Sequence, residues 1–438
     1  MRTRAAAILA ILLLTSGRAH ANPFDFFGAG VRANGMGGAY TALGDDIAGL
    51  YYNPGALPQV GGLNIDIAYI SATMHLDFDG REVPVDDNSG VQFGLLLAQN
   101  LLGRRLTFGA NVFLPDDHVI RFQMLPRKQP QYIMVTNDNH VLVADVGGGY
   151  DVIHDRLGLG AALSLMGDNT GGVDLTLRED ESSSGSLDTH LGIIARPILG
   201  AWGRPVDELR LGLCYREKTD VKLDLPNRIR IPHLHVFEGS EPDVLSASEI
   251  TLVAQSYSHF SPRTVQFGAA YEPLPSLTTS ADLSWQQWSE YHDPTVRLKI
   301  NIDGGLGEVV SIQPQPALAD TRFHDIVALA LGGEYRPIDE GKTRLALRGG
   351  YGYRPSPAPQ NHDALNLLDS DKHDFSAGLG IAADDPLGEL WRWSLDAYAR
   401  YTLLQERTVK NQDPTDPVGD YKMGGDVRAF GVSLKMEF

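Results

Sequence analysis

The sequence predicts an all-β protein, a transmembrane antiparallel β-barrel of about 14 strands with an N-terminal plug, or hatch, in its lumen. Three observations lead there. Segments along most of the chain alternate apolar and polar residues, their apolar faces end in aromatic residues, and short and long links between them mostly alternate.

The chain opens with a delivery signal. Arg2 and Arg4 precede an apolar stretch from Ala5 to Leu14, and Ala19-His20-Ala21 has the small-x-small form of a signal peptidase site. Roughly ten apolar residues cannot cross a bilayer of about 30 Å as a helix, so residues 1–21 read as a cleaved signal peptide. Losing three arginines (Arg2, Arg4 and Arg18) takes the formal charge from −18 to −21. An acidic chain of this size argues against nucleic acid as a partner. A single cysteine, Cys214, excludes an intramolecular disulfide framework. It reads as a small inward-facing filler, and no cofactor or metal is implied.

Residues 22–58 read as the plug and 59–438 as the barrel. GMGGAYTALGDDIAGLYYNPGAL, residues 35–57, is glycine-rich and alternates poorly. Without a preceding strand it is poor evidence for a nucleotide loop. Ahead of many strands it reads as a compact lumen segment, in which Gly35, Gly37 and Gly38 permit close backbone packing. Asp45 and Asp46 suit the first turn of a short helix over 42–52. Asn53, Pro54 and Gly55 turn the chain toward the first strand.

In the last strand Phe430, Val432, Leu434, Met436 and Phe438 share one face, while Ala429, Gly431, Ser433, Lys435 and Glu437 share the other. The same holds for Trp391 to Leu403, for Leu345 to Tyr353 and for Leu209 to Tyr215. No apolar run approaches 18 residues, so helical spans are excluded. A soluble sandwich would also alternate. Here, however, the polar face mixes Arg, Asp and Glu with many small residues. The apolar face ends in Tyr351 and Tyr353, Trp391 and Trp393, Trp285 and Trp288, and Tyr401, as interfacial girdles require. Alternating runs fall near 60–74, 89–100, 104–115, 138–151, 156–166, 185–201, 207–224, 263–273, 276–290, 323–336, 342–354, 373–383, 390–404 and 427–438. The links at 115–137, 225–262, 303–322, 355–372 and 405–426 read as extracellular loops. Phe438 resembles the terminal aromatic signal read by barrel-insertion machinery.

Several stretches resemble the FadL/TodX type of outer-membrane protein (OmpP1-like), the long-chain fatty acid and hydrocarbon transporters. Ala281 to Ser289 is similar to that family's strand with paired tryptophans. Leu211 to Lys218 is similar to its Gly-x-x-Tyr-Arg strand. Arg348-Gly349-Gly350-Tyr351-Gly352-Tyr353, then Pro355, Pro357 and Asp369-x-Asp371-Lys372-His373, resembles a late strand, loop and strand. Asn53-Pro54-Gly55-Ala56 falls where the family has Asn-Pro-Ala.

The resemblance implies a 14-stranded barrel in the bacterial outer membrane, acting as a monomer among outer-membrane lipid and lipopolysaccharide. A fatty acid or hydrocarbon would be captured in a loop groove, held in the lumen and released sideways at a kinked third strand. Loop 115–135 sets Ile120, Phe122, Met124 and Leu125 among Arg121, Arg127 and Lys128, either an amphiphile groove or an ordinary packed loop. Inward Arg344, Arg348 and Arg354 would meet a ligand carboxylate or pair with barrel Asp and Glu. Val112-Phe113-Leu114-Pro115-Asp116-Asp117 departs from the family's kink, leaving Gly109 and Pro115 as candidate ladder breaks.

His233-x-His235 reads as a loop histidine pair rather than a metal site. Asp413, Asp416 and Asp420 lack EF-hand spacing. No Gly-x-Ser-x-Gly elbow or other nucleophile signature supports an enzyme. The alternatives are a related plugged barrel serving a secretion or envelope-assembly system, and a general porin, whose diffusion a plug would obstruct.

Overall fold

The computed structural model describes residues 23–85, 87–116, 129–132, 142–178, 182–232, 234–238, 241–245, 247–312, 318–339, 342–362, 365–384, 391–414 and 416–438. The signal-peptide stretch lies outside them. Over these residues the chain forms a closed antiparallel barrel of 14 strands around an N-terminal segment. Three short helices, α1 (Pro23–Phe27), α2 (Val31–Gly35) and α3 (Gly49–Tyr52), and a 3-10 helix (Pro54–Gln59) make up that segment.

The wall begins with β1 (Leu63–Phe78), β2 (Asn88–Leu101), β3 (Arg104–Pro115), β4 (Val143–Ile153), β5 (Leu157–Leu177) and β6 (Ser183–Val206). Three interrupted strands follow. They are β7 (Leu209–Arg216, resuming as Thr219–Ile231), β8 (Ser248–Ser261, resuming as Arg263–Leu274) and β9 (Leu277–Gln287, resuming as Arg297–Gly304). The wall ends with β10 (Ile326–Ile338), β11 (Thr343–Arg354), β12 (Lys372–Asp384), β13 (Arg392–Asn411) and β14 (Tyr421–Glu437). β1 pairs with β14 from Asn64↔Glu437 to Phe78↔Met423, which closes the ring. Closure follows from the solvent: hydrocarbon offers no partner to an unpaired N–H or C=O, so a spanning sheet can have no edge.

The alternation gives the wall its two faces. Phe93, Leu163, Leu213, Phe267, Leu395 and Phe430 point outward and are each about half exposed. In water such a band would be a liability; against lipid it is at home. Gln92, Ser164, Arg216, Asp282 and Asp396 point inward and are buried. At one rim Trp391 stacks on Phe438, with centroids 5.8 Å apart and planes 14° apart.

The strands are longer than their alternation suggests. Residues 225–262, read as a loop, instead continue β7 to Ile231, form a hairpin (Leu234–Glu238 with Glu241–Leu245) and begin β8 at Ser248. Likewise β13 runs on to Asn411 and β14 starts at Tyr421. The cause is visible in β1. Ile67 and Tyr69 face outward, but Ser71, Thr73, His75 and Asp77 continue that face while Ala72, Met74 and Leu76 are buried within. Above the apolar band the pattern inverts while the ladder continues. Trp288, read as a girdle residue, is instead buried with Phe260, Tyr291 and Phe323 beyond the strand end. The helix expected over 42–52 shrinks to α3, because Gly44 at φ 51° turns the chain out of helical geometry.

Leu213→Arg would set a charge in the outward band. We expect a loss of about 2–4 kcal/mol of barrel stability, read by denaturant titration in lipid vesicles, with little change for the same substitution at exposed Asp155.

Candidate functional site

The N-terminal segment is held in the lumen by a chain of buried charges. Glu334 of β10 accepts from Arg32 of α2 at 2.8 and 3.1 Å, from Arg348 of β11 at 2.7 Å and from Arg336 at 3.0 Å. Arg348 also reaches Asp396 of β13 at 2.5 Å, and Arg32 reaches Asp45 at 2.6 Å. Burial alone would raise the Asp45 carboxyl, but Arg32 and Arg210 outweigh it and hold the group below its ordinary range. At Asp46 burial outweighs Arg32 and Lys435 and pushes the carboxyl up. It accepts from the Tyr40 hydroxyl at 2.7 Å and from the Ala48 N–H at 2.9 Å, which positions the start of α3.

Backbone contacts complete the seat. Asp282 of β9 accepts from the N–H groups of Tyr40 and Thr41 at 3.0 and 2.9 Å. Asn53 donates to Thr41 O and Ala201 O and accepts from Gly55 N–H, so it ties the segment to β6 while opening the 3-10 helix at Pro54. Gly37, at φ 67°, lies so close to β11 that a Cβ would stand 2.9 Å from Tyr351 N. A Cβ on Gly55 would come within 2.7 Å of Gly200 O in β6. Gly35 packs beside Gly378 of β12, and Gly38 takes φ 78°.

Above the segment lies a cavity of about 110 Å³. Its floor carries Phe24, Phe26, Tyr51 and Tyr52, and its wall carries Arg216, Arg354 and Arg400. Arg216 donates to Tyr51 O at 3.2 Å and to Gln266 Oε1 at 2.8 Å, with its guanidinium 4.6 Å from the centre of the Tyr51 ring. Arg400 donates to Asn34 Oδ1 at 3.3 Å and to Phe26 O at 3.1 Å. Neither has a carboxylate within ion-pair distance among the described residues, and the Nε of each is buried without a hydrogen-bond partner. Arg354 meets Asp374 only at 4.0 Å. On the other side of the segment is a charge-lined chamber of about 380 Å³.

An apolar wall leads down to this floor. Ile70, Met74 and Leu76 of β1 and Met423 and Val427 of β14 are buried on the inner face and pack in one cluster with Phe27, against Phe26. Tyr132 and Leu368, from two extracellular links, belong to the same cluster. The Tyr132 hydroxyl donates to Asp77 O and accepts from Gly424 N–H.

The sequence-derived candidates divide. Ile120, Phe122, Met124 and Leu125 lie outside the described residues, as do His233 and the side chain of His235. Arg344 pairs with Asp384 at 2.8 Å and with Asp339 at 3.5 Å, and Arg348 is tied to Glu334 and Asp396. Asp420 pairs with Lys410, and Asp416 accepts from Asn366. Gly109 pairs with Leu96 on one side and Gly147 on the other, and Pro115 ends β3 opposite Gly90. No register shift occurs on either side of β3 among the described residues, and its pairing with β4 ends at Phe113, before Pro115. Sequence reading missed Arg216, Arg400, Asp25 and Glu334. Their signal is weak, since each is a polar residue on a polar face or at a segment end.

The model of the outer membrane protein transport family (OMPP1/FadL/TodX) matches residues 145–438, more than half of the chain. The chain belongs to this family. As a FadL/TodX-type protein it is a transporter of hydrophobic substrates, not an enzyme. No curated protein matches it significantly in sequence. Among solved structures it is similar to a Pseudomonas aeruginosa FadL homologue (15% identity, 97% of this chain and 99% of that one, TM-score 0.54). It is also similar to the P. putida toluene transporter TodX (17%, 94% and 99%, TM-score 0.56) and to the Ralstonia pickettii toluene transporter TbuX (15%, 95% and 100%, TM-score 0.52). At these identities the likeness is one of fold.

Glu334→Gln would leave Arg32 and Arg348 short of a buried partner. We expect the segment to loosen by about 3 kcal/mol, read as raised single-channel conductance with the barrel still folded. Acid gives a second test. Burial alone would raise the Asp25 carboxyl, but Arg196 and Ser261 hold it down to about 2. A carboxyl depressed in the folded state stabilises above its free value, and that contribution fades as pH falls through about 4 to 2. Conductance should therefore rise only below about pH 4, and Asp25→Asn should raise it at neutral pH and flatten the acid response.

Proposed function

We propose that this chain takes up long-chain fatty acids or chemically similar amphiphiles, and that residues 22–58 act as its plug. The cargo descends the apolar inner wall of β1 and β14, rests above the plug, and leaves sideways through the barrel wall into the bilayer. One observation carries the choice of cargo. Arg216 and Arg400 line the lumen cavity beside Phe24 and Phe26 with no carboxylate in ion-pair contact among the described residues, and each keeps a buried Nε unpaired. An unpaired buried donor is costly, and a carboxylate or other anionic head would relieve that cost. Toluene, which TodX and TbuX are described as transporting, brings no charge to such a pair.

A lateral release also suits the physics. A long hydrocarbon tail gains nothing from a water-filled exit and much from the bilayer.

Native mass spectrometry and lipid analysis of the purified barrel test this directly. Recovered fatty ligands support uptake, whereas an empty lumen with a co-purifying protein would point to a secretion role. Arg216→Met with Arg400→Met should weaken palmitate binding at least tenfold, a loss of about 1.4 kcal/mol or more, and leave toluene binding within about twofold. Equal loss of both ligands would overturn the anionic-head assignment.

A further inference from the structure

One short turn runs against the usual chemistry of turns. β2 and β3 are joined by Leu102-Gly103, with φ of 54° and 75°. Two positive φ values in a two-residue hairpin link suit Asn-Gly or Gly-Gly, whereas a leucine Cβ is strained there. Of the other described non-glycine residues with positive φ, Asp79, Asp155 and Arg322 are polar, and Leu102 alone is apolar. It is also 90% exposed, beside exposed Leu101. Neither turn geometry nor packing within the protein accounts for a strained, unburied leucine.

The tyrosines set the level of this turn. Tyr150, Tyr271 and Tyr335 face outward near the short-turn ends of β4, β8 and β10, where an interfacial ring is at home. Tyr150 lies across from Leu106 of β3, and its hydroxyl donates to Leu101 O at 3.3 Å. The Leu101↔Arg104 pair stands two residues beyond Leu106, ~7 Å along the strands and less along the membrane normal because barrel strands tilt. The turn therefore sits at inner-leaflet headgroup level, continuous with hydrocarbon-facing Leu95 and Phe108.

An unpaired cation stands beside it. Arg105 turns inward and donates to Pro58 O at 2.8 Å. Arg104, on the outer face with Leu101, has no side-chain hydrogen bond or ion pair among the described residues. The next two turns around the rim extend the apolar edge with exposed Val152, Ile153 and Val206. Their arginines are already engaged, since Arg156 pairs with Asp207 at 3.0 Å and Arg204 donates to Asp207 O.

We infer that the β2–β3 turn is a phospholipid site of the inner leaflet, with Leu101 and Leu102 among the glycerol and upper acyl carbons and Arg104 on the lipid phosphate. Burial at that depth takes the leucines out of water. An arginine stem lies well on apolar surface while its guanidinium binds phosphate at two points. An anionic headgroup adds to the attraction. The site lies outside the lumen and is independent of the cargo.

The test uses the full chain in vesicles of phosphatidylethanolamine and phosphatidylglycerol. A nitroxide on Leu102→Cys, in a Cys214→Ser background, should collide more often with oxygen, which enters the bilayer, than with a water-soluble nickel complex. The same label on Glu406→Cys, exposed high on β13, gives the aqueous reference. Nickel collisions at position 102 equal to those at 406 would overturn the site. So would protection that appears only as the protein-to-lipid ratio rises, since a second copy would then be covering the turn. Native mass spectrometry reads the bound lipid. Arg104→Gln should lower phosphatidylglycerol affinity about fivefold. Leu102→Asn, which suits the left-handed backbone, should keep the barrel folded and lower the affinity as well. Unchanged affinity in either variant would overturn the assignment, as would displacement of the lipid by inorganic phosphate, the mark of a free-anion site.

Discussion

Everything in this protein follows from the absence of water beside its outer wall. A backbone amide facing hydrocarbon can be satisfied only by another strand, so the sheet must close, as β1 closes on β14. A closed wall then poses the problem that the rest of the molecule answers: hydrophobic cargo must pass a barrier whose integrity is the condition of its existence. Where β6 and β7 part beyond Ile198↔Arg216, just above the apolar band, Arg196 bonds to Glu217 O and Pro262 O in place of the ladder.

The lumen is governed by a different balance. Charges of both signs are buried there, and most are held by partners of opposite sign. Glu334 serves three arginines and joins the segment to the wall through Arg32. Arg216 and Arg400 stand outside this balance, with carbonyl and amide oxygens where carboxylates would otherwise be.

Much of the fold was legible in the sequence because lipid imposes a strict two-residue period. Segments such as Leu209 to Tyr215 and Val427 to Phe438 carry it plainly, and all fourteen strands fall on segments marked by it. The strand ends beyond the membrane were not legible, since Ser71, Thr73 and His75 face outward there and Met74 and Leu76 inward. The lumen site was less legible still. Whether an arginine on a polar face is paired depends on which residue sits across the ladder, and register is not written in any single strand. Arg348 meets Glu334 directly across β10 and β11, while Arg216 lies opposite Thr264 and Ile198. The family's kinked third strand suggested an opening at Gly109, a position where the structure leaves no room for a Cβ, which would meet Leu95 O at 1.9 Å.

The glycine contacts between segment and wall also bear on how such a sequence can diverge. At Gly37 and Gly350 two backbones approach until an added Cβ on either would overlap the other, and Gly55 stands to Gly200 in the same way. A side chain gained on one partner has to be matched by a shift of the other, so these positions drift only in concert. Leu163 and Phe267, facing lipid, answer to nothing but hydrophobicity and exchange freely with any apolar residue. A barrel of this kind can therefore replace most of its sequence from the outside while its inner seam of glycines holds the register of the whole. Identities of 15–17% alongside matches spanning 94–97% of the chain are consistent with that division.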